Sequence, residues 1–97
     1  MNKRTKAIQI PPKVKRIVYE RDGGRCIICG APGNPDAHYI SRAQGGLGIE
    51  ENVATLCWRC HRIYDQTEKR ETYRRIIADY LKDCYPHWDE SQLTYRK

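Results

Sequence analysis

Two matched cysteine pairs, Cys26-x-x-Cys29 and Cys57-x-x-Cys60, constrain this chain more than any other feature. Knuckles of that spacing, a few tens of residues apart, can bring four thiolates to one tetrahedral ion, which is the ligand set of structural zinc. The segment between them is then a closed loop carrying His38 and Asn52, and His61 follows the second pair directly. A secreted disulfide framework is the other common use of cysteines in a short chain. The odd count of five and the lack of an apolar signal segment after Met1 argue against it.

With 97 residues, the chain is expected to form one small domain that buries only about 60–65% of its unfolded surface. Such a domain needs a further source of stability. Structural zinc supplies about 10–16 kcal/mol of apparent binding free energy in zinc-finger peptides. The chain has no phenylalanine and seven tyrosines, so the core is expected to be small and tyrosine-rich. No apolar run reaches the ~18 residues that span a bilayer. The expectation is a soluble protein with no membrane contact, kept in a cytoplasm-like compartment where reduced thiols and zinc coexist.

The net charge of +6 is uneven. Between Met1 and Arg25 lie Lys3, Arg4, Lys6, Lys13, Lys15, Arg16, Arg21 and Arg25, against only Glu20 and Asp22. A basic first third suits a phosphate-bearing partner, because neutralising phosphates releases counterions. It also suits a solvated, solubilising arm.

Residues 1–10 read as a flexible basic tail and 11–97 as a single domain. Pro11 and Pro12 suit the first turn of a helix with Val14, Ile17, Val18 and Arg21 on one face, stopped by Gly23 and Gly24. The turn-rich 31–35 segment reverses the chain. Ala37–Ser41 and Val53–Leu56 read as two short strands able to pair, joined by the glycine-rich 42–52 loop. A helix should begin near Trp58. Tyr73, Ile76, Ile77, Tyr80, Leu81 and Cys84 then form one apolar stripe on a last helix, ended by Pro86.

With the strands antiparallel and the Trp58 helix across them, His38 and His61 face one cleft. His61 and Asp65, one helical turn apart, can offer an imidazole nitrogen and a carboxylate to a divalent cation. His38, neutral near pH 7, can take a proton from water as general base. Asn52 can fix the loop or the His38 backbone through its amide.

The order C-x-x-C, His38, Gly45-Gly46 seven residues on, Asn52, then L-C-x-x-C-H resembles the HNH endonuclease family over residues 26–65. The preceding Arg21-Asp22-Gly23-Gly24 is also like members of that family. The resemblance implies a small α+β fold: a ββα-metal motif stapled by a four-cysteine zinc site, with a helix before it and an amphipathic helix after it. It implies Cys26, Cys29, Cys57 and Cys60 as structural zinc ligands, His38 as general base, Asn52 as the asparagine that positions the base, and His61 as ligand of a catalytic divalent metal (Mg2+, Mn2+, Ni2+ or Zn2+). Asp65 matches a position that supplies a further ligand in some members.

One position departs from the pattern. The residue before the base is usually an Asp or His that binds the catalytic metal, and here it is Ala37. Either Asp36 swings in, or Asp65 substitutes, or His38 is itself the ligand and the register shifts by one, leaving Tyr39 as base. The Gly45-Gly46 spacing favours His38 as base.

The implied activity is hydrolysis of DNA phosphodiester bonds to a 5′ phosphate and a 3′ hydroxyl, a nick by default. Arg42, Arg59, Arg62, Lys13 and Arg16 are the candidates for phosphate contact, a guanidinium fork suiting that geometry. Proteins of similar make-up in bacteriophages are associated with DNA-packaging terminase, so terminase subunits and a portal are partners by analogy, in the host cytoplasm. Two alternatives remain: a catalytically silent zinc module that binds nucleic acid, which Ala37 favours, and a protein-interaction module, which the basic first third disfavours.

Overall fold

The computed structural model describes residues 2–96; Met1 and Lys97, the outer ends of the expected 1–10 tail and 11–97 domain, lie outside them. Along the chain run α1 (Lys3–Ile8), α2 (Pro12–Arg21), β1 (Asn34–His38), β2 (Val53–Leu56), α3 (Trp58–Gln66) and α4 (Arg70–Cys84), with single 3-10 turns at Arg42–Gln44, Glu50–Asn52 and Glu90–Gln92. The fold is small α+β, with β1 and β2 antiparallel and α3 following β2 directly. No helix among the described residues is long and apolar enough to cross a membrane.

Local chemistry accounts for the helices. Pro12 stands at the start of α2, where a missing N–H costs nothing. Cys57 caps α3, its sulfur accepting from the Cys60 N–H, so a metal-ligand candidate also starts the helix. In α4 the buried positions are Ile77, Ala78 and Leu81. The expected stripe is therefore rotated slightly: Ile76 is largely exposed and Ala78 faces the core.

Of the expected tail, the described residues 2–10 are not free. Asn2 caps α1 by accepting from the Thr5 N–H, and Ile8 is buried. The arm folds because it has a docking surface, the 42–52 loop, which a reading by composition alone does not supply.

The first strand also lies earlier than expected, at Asn34–His38 rather than Ala37–Ser41. Asn34 pairs with Leu56 and Ala37 with Ala54, so three steps on β1 oppose two on β2 and the extra residue is a bulge at Pro35-Asp36. A bulge tolerates proline, which has no N–H to give to the ladder. Beyond His38, the Tyr39 N–H still reaches the Asn52 carbonyl at 2.8 Å, but the Asn52 side chain then takes over the backbone of Ile40 and the ladder ends.

The elements are tied together by Asp22, whose side chain is fully buried. Its carboxylate accepts from Arg21 Nε (2.7 Å) and Nη2 (3.1 Å), from the Thr55 N–H (2.9 Å) and from the Tyr80 hydroxyl. Arg21 goes on to the Glu50 and Val53 carbonyls, both at 2.8 Å, between the rings of Tyr80 and Tyr85. A buried charge pair is tolerable only when the remaining donors and acceptors are matched, as they are here. Arg21 therefore serves the fold, not a phosphate. Tyr39, Leu56, Tyr64, Ile77, Leu81 and Leu93 fill the core beside it, and Trp88 packs edge-on against Tyr39, its Nε1–H donating to the Glu51 carbonyl.

Candidate active site

The four cysteines of the two knuckles converge. Their sulfurs all lie within 4.8 Å of one another, with Cys29 and Cys57 Sγ 3.5 Å apart. Four sulfurs about 2.3 Å from a zinc ion would be about 3.8 Å apart, so the donor set and its size fit such an ion. Each pair is wound as a knuckle: the Cys29 N–H points at Cys26 Sγ (3.5 Å) and the Cys60 N–H at Cys57 Sγ (3.4 Å). Burial, reinforced by the neighbouring sulfurs, pushes the Cys60 thiol far above its ordinary value. Four thiolates this close therefore require a cation to coexist. Cys84, on α4, is outside the group.

An open cleft of two lobes, about 520 and 500 Å³, is lined in both lobes by Asp36, His38, Arg42 and His61. Strand alternation explains the membership. Ala37 points into the core and is 1% exposed, while Asp36 and His38, on either side of it, face the cleft. With His38 turned outward, the residue before it turns inward, and Asp36, two residues before His38, comes to the same side as His38.

His61 lies between two carboxylates. Its Nδ1 is 3.6 Å from Asp36 Oδ1 and its Nε2 is 3.3 Å from Asp65 Oδ2. All three side chains are partly exposed. Because the carboxylates meet opposite ring nitrogens, one of them can share a cation with His61 and the other can only hold the ring. Nitrogen and carboxylate donors with open solvent positions suit a hard or borderline divalent ion.

His38 is half-buried. Burial moves its pKa below the ordinary histidine value, and Arg42 and His61 act in the same direction, while its bond to the Ile8 carbonyl and the charge of Asp36 oppose them. The net result favours the neutral ring a general base requires. Tyr39, the other possible base, is 2% exposed; its hydroxyl donates to Glu90 Oε1 at 2.5 Å and accepts from Arg74 at 2.6 Å. Burial and Glu90 raise its pKa, and it lies outside the cleft, so the shifted register does not fit.

Asn52 does not enter the cleft. It is fully buried, its Oδ1 accepting from the Ile40 N–H (2.8 Å) and its Nδ2 donating to the carbonyls of Leu47 (2.8 Å) and Ile40 (3.2 Å). It pins the loop that follows His38 and lines neither lobe of the cleft. Within that loop a Cβ on Gly46 would lie 1.7 Å from the Ile40 carbonyl oxygen, which is why the Gly-Gly pair tolerates no side chain there.

Of the five cations expected to meet phosphate, Arg42 lines the cleft; Lys13, Arg16, Arg59 and Arg62 are exposed but line neither lobe. Two others do, Lys15 in one lobe and Arg70 in the other. Lys15 is visible in sequence only as one charge among eight. Arg70 begins α4, whose sequence signals only a packing helix, and its guanidinium lies 5.1 Å over the Tyr64 ring. Among the described residues neither Arg42 nor Arg70 has an acidic partner within salt-bridge distance.

The features define a class: a two-stranded ββα unit stapled by four thiols able to hold a structural metal such as zinc, with a histidine cleft on its open side. Residues 26–67 match the model of the family described as HNH endonuclease. No curated protein and no solved structure matches the chain.

Proposed function

We propose that the protein is a metal-dependent endonuclease that hydrolyses DNA phosphodiester bonds one strand at a time. The observation that carries this reading is the pairing, on one open cleft, of a half-buried neutral His38 with a His61 set between two carboxylates. Arg42, Arg70 and Lys15 line the same cleft and suit a polyanion.

In this reading His38 takes a proton from water as its oxygen attacks phosphorus. The bond to the 3′ oxygen breaks in line, leaving a 5′ phosphate and a 3′ hydroxyl. Asp36 and His61 Nδ1 are the residues that would hold the catalytic cation, and Asp65 would accept from the His61 Nε2–H and orient the ring, the usual division between ligand and supporting carboxylate. A divalent cation there would supply Lewis-acid stabilisation of the phosphoryl charge and the leaving oxygen. Arg42 and Arg70 would grip the flanking phosphates, and holding substrate in line is itself a large part of catalysis. The four cysteines would hold zinc and carry the fold.

Supercoiled plasmid incubated with Mg2+, Mn2+ or Ni2+ should be nicked by the wild type. His38→Ala should lower the rate on the order of 10²–10⁴-fold with zinc content unchanged. Equal nicking by the variant would refute the role of His38. The second reading, a catalytically silent module that binds nucleic acid, is favoured by one observation: Asp36 and Asp65 do not converge on one ring nitrogen of His61. A salt-sensitive mobility shift with no cleavage in any of the three metals would establish it. Terminase subunits and a portal remain partners by analogy, to be sought by co-purification.

A further inference from the structure

The amino-terminal arm reaches the cleft. His38 Nε2 lies 2.9 Å from the carbonyl oxygen of Ile8, the last residue of α1. A carbonyl can only accept, so Nε2 carries the proton and the lone pair of the neutral ring is on Nδ1. Among the described residues no protein group bonds that Nδ1.

The contact is not a chance touch by a loose segment, because the arm is fastened along its length. Arg4 donates to the Ala43 carbonyl at 3.3 Å, and the Gly48 N–H donates to the Ala7 carbonyl at 3.0 Å. At Gly48 the arm lies directly on the loop: a Cβ there would be 1.9 Å from the Gln9 carbonyl oxygen and 2.9 Å from Ile10 Cα. Gln9 and Ile10 then form a wall of the lobe that holds His38 and His61. The loop is clamped from its other side by the carboxy-terminal segment, through Leu47 N–H to the Leu93 carbonyl and Tyr95 N–H to the Gly45 carbonyl, both 2.8 Å. The Ile8 carbonyl is thus held in place by a loop that is itself held at several points.

We infer that the arm is a positioning element of the active site: the Ile8 carbonyl fixes the Nε2–H tautomer and the orientation of His38, leaving Nδ1 as the atom that takes the proton from water. This rests on the endonuclease reading for its kinetic consequence, but the tautomer does not depend on it. A ring free to flip or to exchange tautomers would present the accepting nitrogen only part of the time. Misplacement of a catalytic group by about 1 Å can cost on the order of 100-fold.

Two variants test it. Deletion of residues 2–9 removes the carbonyl together with the arm's cations. Gly48→Ala keeps every charge and forces the arm off the loop. Long-range proton–nitrogen NMR on the full chain should show His38 Nε2 protonated and Nδ1 pyridine-like, and both variants should show averaged nitrogen shifts. In plasmid nicking Gly48→Ala should lower kcat on the order of 10–100-fold with KM for DNA nearly unchanged, whereas the deletion should also raise KM.

Protonated Nδ1 in the full chain, or unchanged tautomer and kcat in Gly48→Ala, would overturn the inference. If the deletion loses zinc or spectral dispersion, Gly48→Ala decides. If the full chain nicks no DNA, the endonuclease reading falls while the NMR result still stands for or against the arm.

Discussion

Cys60 and His61 are neighbours on one turn of α3, yet they serve regions built in different ways. The thiol clasp is assembled from two short segments, three of its four cysteines are buried, and its backbone N–H groups are already aimed at sulfur. The cleft draws side chains from α2, β1, the 42–52 loop, α3 and the first residue of α4, with a backbone carbonyl from α1, and most of them remain accessible to solvent. A region that serves stability can close over its metal. On the proposed endonuclease reading the cleft has to stay open to a polymer, and its precision would then come from surrounding supports such as Asn52, Asp65 and the arm.

The sharpest way to break this contrast is to remove the metal from the clasp. Chelation of zinc, or Cys60→Ser, withdraws a contribution of about 10 kcal/mol, comparable with the whole stability of a domain of this size. Loss of the native circular dichroism signal together with zinc release is expected. A chain that stays folded without the ion would mean that the Asp22 centre and the tyrosine-rich core suffice, and that the clasp is not the main staple.

Next in size is Asn52→Ala, which attacks a support of the cleft without touching the clasp. It strips partners from the half-buried Ile40 N–H and from the Leu47 and Ile40 carbonyls. An unsatisfied buried group costs about 1–3 kcal/mol, and with some relaxation a total of about 3 kcal/mol is expected in chemical denaturation, with zinc retained. A loss below about 0.5 kcal/mol, the low end for a single net hydrogen bond, would show that the loop is held mainly by the two chain ends.

The two carboxylates at His61 divide the cleft itself. If Asp36 shares the cation and Asp65 only orients the ring, Asp65→Asn should weaken catalytic-metal affinity about 10–100-fold, the usual cost of losing an outer carboxylate. Asp36→Asn should weaken it more. Metal titration of the nicking rate reads both, and the reverse order would exchange their roles.

The clasp and the cleft are not equally legible in the sequence. Cysteine spacing is a local code, and the four thiols and the start of α3 follow from it, while the extent of β2 follows from its branched residues. His38 and His61 are legible because one lies within the loop that the cysteine pairs close and the other directly follows the second pair. Asp36 stays open at the level of sequence because the alternation that buries Ala37 and turns Asp36 outward depends on where β1 starts, and Pro35 suggests a later start. Arg70 depends on how α4 docks. The Ile8 carbonyl has no residue-type signature, since any side chain would present the same oxygen, and the arm that carries it reads by composition as a solvated tail.

The smallest expected effect concerns charge, and it tests whether the two regions also divide the work of binding. Arg59 is next to Cys60 in the chain and lines neither lobe of the cleft, whereas Lys15 lines one. Each phosphate neutralised contributes about 0.9 to the slope of log affinity against log salt. Lys15→Ala should therefore lower that slope by about 1 and weaken binding similarly for all sequences, while Arg59→Ala should leave it unchanged. Exposed cations can also act at a distance, but at about 0.15 M salt such action fades within about 8 Å. Measuring both variants above and below that concentration separates contact from field. A slope that falls equally for both would place DNA across the clasp as well as the cleft, and the path of the strand would then be set by the whole basic face rather than by the cations beside His38 and His61.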